Sequence, residues 1–232
     1  MTTREARIQS LLAVVLVVCL PTVGVLFAMA VPSTAGVVSG KLIYALCKIG
    51  LLSVPLLWHF GVERRRVEVR QPKISGLLLG VWTGLVISGV IIVVYLLAGQ
   101  WLVDPEVMRE AAERSGLADQ SLYLWLAAYI IFFNSLLEEY VWRWFVYEKC
   151  CLLVGSVTAV ALAAFLFTIH HTVALSCQFQ LPVVIVGSVG VFIGGLIWSW
   201  CYLKTGSIWA GYVSHILVDV AVFVVGWMIL FT

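Results

Sequence analysis

Seven apolar runs, each about as long as a bilayer is thick, constrain this chain more than anything else in it. The hydrocarbon core measures roughly 30 Å and a helix rises about 1.5 Å per residue, so about 20 mostly apolar residues cross it. Runs near 9–31, 41–60, 75–98, 122–147, 156–176, 182–201 and 208–230 meet that length. Hydrophobic residues make up 62% of the 232 and charged residues 11%, against roughly 25% charged in a soluble domain. Runs this continuous do not alternate as barrel strands do. A helix also satisfies its backbone polar groups within one segment, as lipid requires. The expectation is an all-α polytopic membrane protein of about seven transmembrane helices. Residues 1–120 supply N-terminal spans and an external loop; residues 121–232 form a four-helix core that holds the polar residues of interest.

Loop charges orient the bundle. Arg64, Arg65, Arg66, Arg70 and Lys73 form the densest basic cluster, and Arg4, Arg7, Arg143, Lys149 and Lys204 fall on the same side. The opposite side has Lys41, Arg109 and Arg114, while Lys48 lies inside a span. The positive-inside rule then places the N-terminus in the cytoplasm. The first run follows Arg4 and Arg7 and ends in Ala28-Met29-Ala30, which looks like a signal-peptide cleavage site. It is long for such a peptide, and more membrane segments follow, so a retained span is expected. A net charge of +2 implies no nucleic-acid partner. The six cysteines form no CxxC pair and read as small apolar residues.

The one long external loop, 99–121, contains Asp104-Pro105-Glu106, an N-cap followed by a first-turn proline and an acidic first turn. Gly116 is expected to close that short helix. Its apolar residues Val107, Met108, Ala111 and Ala112 are expected to rest on the membrane surface.

A charge inside the bilayer costs at least about 2.5–3.5 kcal/mol. The spans after residue 122 nonetheless carry Glu138, Glu139 and Arg143 on one, His170 and His171 on the next, and His215 and Asp219 on the last. Glu139 and Arg143 are four apart, so they share a helix face with the acid N-terminal. They form either a structural clamp or a support for neighbouring chemistry. Glu138 points about 100° away, without an obvious partner, and suits a general base. His170 and His171 face different ways; each is either a helix-to-helix contact or the group that meets Glu138. His215 and Asp219, again four apart, form either a private pair or one wall of a shared pocket.

These residues carry a resemblance. EExxxR (Glu138, Glu139, Arg143), FxxxH (Phe167, His171) and HxxxD (His215, Asp219) resemble the three motifs of the CAAX-processing and bacteriocin-processing membrane peptidases, the CPBP or Abi family. Thr205-Gly206-Ser207-Ile208-Trp209-Ala210-Gly211 also resembles that family's approach to its third motif. The likeness covers roughly residues 120–225. It implies a glutamate-type intramembrane peptidase without cofactor or metal. Glu138 and His171 would activate water, while His215 and Asp219 would bind the oxyanion or position that water. Glu139, Arg143 and Phe167 would support them, with His170 as the alternative to His171. The family often has Asn where this chain has Asp219. An ionised Asp cannot donate to an oxyanion, so Asp219 is either protonated or orients His215.

The expected substrate is a hydrophobic or membrane-anchored protein or peptide, and the expected setting a prokaryotic cell membrane. Two alternatives stand beside this reading. The same histidines and carboxylates suit a zinc peptidase, although HExxH is absent. Intramembrane Glu, His and Asp also build the relays of proton-coupled transporters, or sit in non-catalytic scaffolds. Gly187, Gly190, Gly194 and Gly195 either loosen the sixth span or let helices pack closely.

Overall fold

The structure, a computed structural model, describes residues 3–66, 71–115 and 117–232. The expectations for Arg70 and for Gly116 as a helix stop lie outside the described residues. Among the described residues, seven helices are long and apolar enough to cross a membrane: α1 (Arg4–Ala30), α2 (Val38–Val62), α3 (Ile74–Leu102), α5 (Gln120–Val154), α6 (Ser156–Gln178), α7 (Leu181–Thr205) and α8 (Ile208–Phe231). The short α4 (Pro105–Ser115) links α3 to α5.

Local chemistry sets the ends. Asp104 Oδ1 accepts from the Glu106 N–H at 3.0 Å, capping α4 as the sequence predicts. Asp119 Oδ1 accepts from the Leu122 N–H at 2.7 Å and starts α5. Gly206 ends α7 in the left-handed region, φ 63°, with its N–H on Tyr202 O at 2.7 Å. Ser207 then opens α8 by accepting from the Trp209 N–H. The helix α4 differs from a simple surface helix: Ala112 is buried, and α4 packs on α8.

Unlike a soluble protein, the bundle is apolar on its outer surface as well as in its core. Leu78, Trp82, Leu97 and Val157 are exposed, as lipid allows. Ser135, Glu138, Glu139, Arg143, Ser214 and His215 are buried. Apolar contact with lipid gives helices little reason to associate, so close packing and interhelical hydrogen bonds must do it. The α3–α8 seam uses both. Gly76, Gly80 and Gly84 recur every fourth residue along α3 and face Thr205, Ala210 and Leu217 respectively. Thr83 Oγ1 donates to Ser214 Oγ at 3.1 Å, and Ser88 Oγ to Leu217 O at 2.9 Å. The N-terminal half thus holds the helix that carries His215 and Asp219.

Helix α1 joins the same core, with Ala13 and Val17 fully buried. Helix α7 runs continuously through its four glycines, without the midplane break typical of transporter sites. Gly195 lets it approach α6: a Cβ there would stand 3.2 Å from Ala164 Cα.

Candidate active site

Helix α5 is not a regular α-helix. Tyr129–Asn134 and Tyr140–Tyr147 are π-helical, and one α-helical turn, Ser135–Glu139, lies between them. Such wide turns cluster at functional sites because each rotates the following side chains relative to a regular helix. Here the turn between them carries both acids inward. Ser135 Oγ reaches back to Ile130 O at 2.8 Å and across to Asp219 Oδ2 at 2.6 Å. Its single proton serves one of these acceptors at a time.

Glu139 lies deepest, with no exposed surface. Its Oε1 stands 3.0 Å from Arg143 Nη1 and 3.2 Å from His215 Nδ1. The arginine contact is an ion pair lying off the N–H directions: among the described residues, no guanidinium N–H of Arg143 has hydrogen-bond geometry. Instead the cation sits over the faces of Phe167 and Trp198, 4.7 and 5.1 Å from the ring centroids. Glu139 Oε2 rests against Gly211 of α8, in the space that any Cβ there would fill.

Glu138 turns toward the histidines. Its Oε1 is 3.9 Å from His171 Nε2 and accepts from Asn134 Nδ2 at 2.9 Å. Its Oε2 is 3.7 Å from His215 Nε2. That same nitrogen is 3.8 Å from Asp219 Oδ2. None of these imidazole–carboxylate separations is a hydrogen bond.

The rings are held by stacking. His215 lies on Trp198, centroids 3.8 Å apart and 19° from parallel. Trp198 Nε1 in turn donates to Ser214 Oγ at 3.0 Å. Phe167 packs its edge against His171, centroids 4.6 Å apart. His170 lies parallel to Trp142 at 5.3 Å, within 4°.

The structure therefore gathers Glu138, His171, His215 and Asp219 in one place, with Glu139, Arg143 and Phe167 beneath them. His171 Nε2 approaches Glu138 Oε1 to 3.9 Å, while His170 is buried against an indole. One donor atom each from Glu138, His170 and His171 nevertheless lies within 4.8 Å of the other two. Asn134, Ser135 and Trp198 were not singled out from sequence, and Gly211 entered only as the end of the stretch before the third motif. A signal existed for Asn134, a polar residue in mid-span four before Glu138. For Trp198, nothing separates a wall of the site from an ordinary membrane aromatic. A cavity of about 620 Å³ lies apart from this cluster. Tyr140, Trp144 and Lys149 line it, and none of Glu138, His171 and His215 does.

Residues 120–221 match the family described as Rce1-like, type II CAAX prenyl endopeptidase. The chain has no match among curated proteins or solved structures. The matched stretch contains all three motifs.

Proposed function

Because residues 120–221 match the Rce1-like CAAX endopeptidase family, we propose that this integral membrane protein hydrolyses peptide bonds with a water activated by Glu138 and His171. The carrying observation is the Glu138 carboxylate flanked by two imidazole nitrogens at 3.9 and 3.7 Å. The water oxygen attacks the scissile carbonyl carbon while its proton passes to Glu138. His171 Nε2 orients that water. His215, as an imidazolium, donates from Nδ1 to Glu139 Oε1 and from Nε2 to the oxyanion of the tetrahedral intermediate. The C–N bond then breaks, and Glu138 returns the proton to the departing amine.

Asp219 keeps His215 turned toward the reacting carbonyl. Arg143 neutralises Glu139, and Phe167 supports both that cation and His171. The substrate is a hydrophobic or lipid-anchored protein or peptide that reaches the site from the bilayer. The membrane is that of a prokaryotic cell, and the loop charges favour an N-terminus in the cytoplasm.

The test compares membrane peptides from cells producing the wild type or Glu138→Ala, together with cleavage of a farnesylated CAAX peptide by the purified protein in liposomes. Products present only with the wild type are expected, and His171→Ala should lose them too. Full cleavage by Glu138→Ala at normal expression overturns the proposal.

A second reading rests on the cluster of Glu138, His170 and His171. Two imidazoles and a carboxylate suit zinc, and His170 Nδ1 and His171 Nε2 are buried without hydrogen-bond partners among the described residues. A zinc ion held there would polarise the carbonyl or the attacking water. Metal analysis of the purified protein and cleavage after stringent chelation separate the readings. Activity lost on chelation and restored by zinc favours the metal.

A further inference from the structure

Lys48 is the only Asp, Glu, Lys or Arg of α2 between Lys41 and the end of the span. A cation in mid-membrane is costly unless something answers it. Its Nζ donates to Asn134 Oδ1 at 2.8 Å, and Asn134 Nδ2 donates to Glu138 Oε1 at 2.9 Å. The polarity of this chain is fixed by chemistry. An ammonium can only donate and a carboxylate can only accept. The side chain between them must therefore turn an acceptor to one and a donor to the other, as a primary amide does.

A second bond keeps the two helices in register. Tyr140 OH, further along α5, donates to Leu52 O, one turn beyond Lys48 on α2, at 3.0 Å. The π-helical turn that ends at Asn134 sets the amide one turn before Glu138 and within reach of α2.

We propose that Lys48 is a positioning residue for the general base, acting through the Asn134 amide. The relay tethers Glu138 Oε1 and leaves Oε2 facing His215, so the carboxylate has one preferred setting rather than several. It also gives the mid-span lysine a task in a helix outside the matched residues 120–221. This rests on the peptidase reading of Glu138, and the experiment distinguishes failure of one from failure of the other.

The full chain is reconstituted in liposomes as wild type, Glu138→Gln, Lys48→Met, Lys48→Arg, Asn134→Asp and Lys48→Met/Asn134→Asp. Cleavage of a quenched-fluorescent farnesylated CAAX peptide gives kcat and KM. Infrared difference spectra of wild type against Glu138→Gln isolate the Glu138 carboxylate band, which needs no substrate. Lys48→Met and Asn134→Asp should each lower kcat about 10- to 100-fold with little change in KM, as misplacement of a reacting group does. Each should shift the carboxylate band. Lys48→Arg should recover part of the rate. The double variant should be less impaired than the product of the single effects, because both act through one path.

Cleavage by Glu138→Gln at the wild-type rate ends the peptidase reading itself. With Glu138→Gln inactive, an unchanged kcat in Lys48→Met, or effects that multiply in the double variant, overturn the relay alone. If the wild type does not cut this peptide, the infrared band decides, and an unmoved band overturns the relay. Asn134→Asp keeps the shape and the lysine contact. It therefore decides the matter should Lys48→Met fail to fold.

Discussion

His215 Nδ1 stands 3.2 Å from Glu139 Oε1, although the two side chains come from different spans. The other nitrogen of the same ring faces Glu138. Two consecutive acids therefore address opposite ends of one imidazole. One anchors it, and the other shares with it the space where a carbonyl would react.

That anchor is tied to a buried ion pair. Glu139 and Arg143 have 0% and 1% exposed side chains, so removing one leaves an uncompensated charge. Glu139→Leu should cost about 3–5 kcal/mol of stability. Adding Arg143→Met, which removes the stranded cation, should recover much of that loss. Unfolding in detergent, followed for both variants and the wild type, checks the sign of the recovery.

Gly211 should tolerate no side chain. A Cβ there would occupy the position of Glu139 Oε2, and that carboxylate is not free to move while it holds Arg143 and His215. Gly211→Ala should destabilise by about 1–3 kcal/mol and slow cleavage. Glu139→Asp, one methylene shorter, should partly rescue the alanine variant in the double substitution. Measured alone, Glu139→Asp should be worse than wild type.

Asp219 differs from the asparagine common in the CPBP family and offers a direct comparison. Asn at 219 keeps an acceptor for Ser135, which lies 2.6 Å from Asp219 Oδ2, and presents an N–H toward the oxyanion. Asp219→Asn should keep cleavage within about tenfold, whereas Asp219→Ala should lose about 100-fold or more. An inactive Asn variant would mean that the carboxylate charge beside His215 is needed, not a donor.

The α3–α8 seam should show graded sensitivity. At Gly80 a Cβ would meet backbone, the Ala210 carbonyl. At Gly84 the nearest atom is the movable tip of Leu217, 2.8 Å away, with Ser214 Cα at 3.0 Å. Both alanine variants should lower stability, Gly80→Ala more, by about 1–3 kcal/mol. Each should also reduce cleavage, since α8 carries His215. Melting and cleavage measured together check the order.

Hydropathy is a local, additive property, so seven spans were legible from composition along the chain. Their limits differ mainly in α5, which continues to Val154. The Glu139–Arg143 and His215–Asp219 pairs were legible too, because residues four apart share a helix face wherever that helix sits. The three motifs marked which polar residues to watch. Only tertiary structure could join them. Which face of α5 meets α6, α8 and α2 depends on two π-helical segments that no periodicity announces, and on glycine contacts that set how close and how rotated each helix is. Lys48 shows the difference most plainly. From sequence it is a misplaced charge in a span; its partner is 86 residues away. Pairing across helices is decided by rotation and depth, which arise from packing and leave no local trace in the chain.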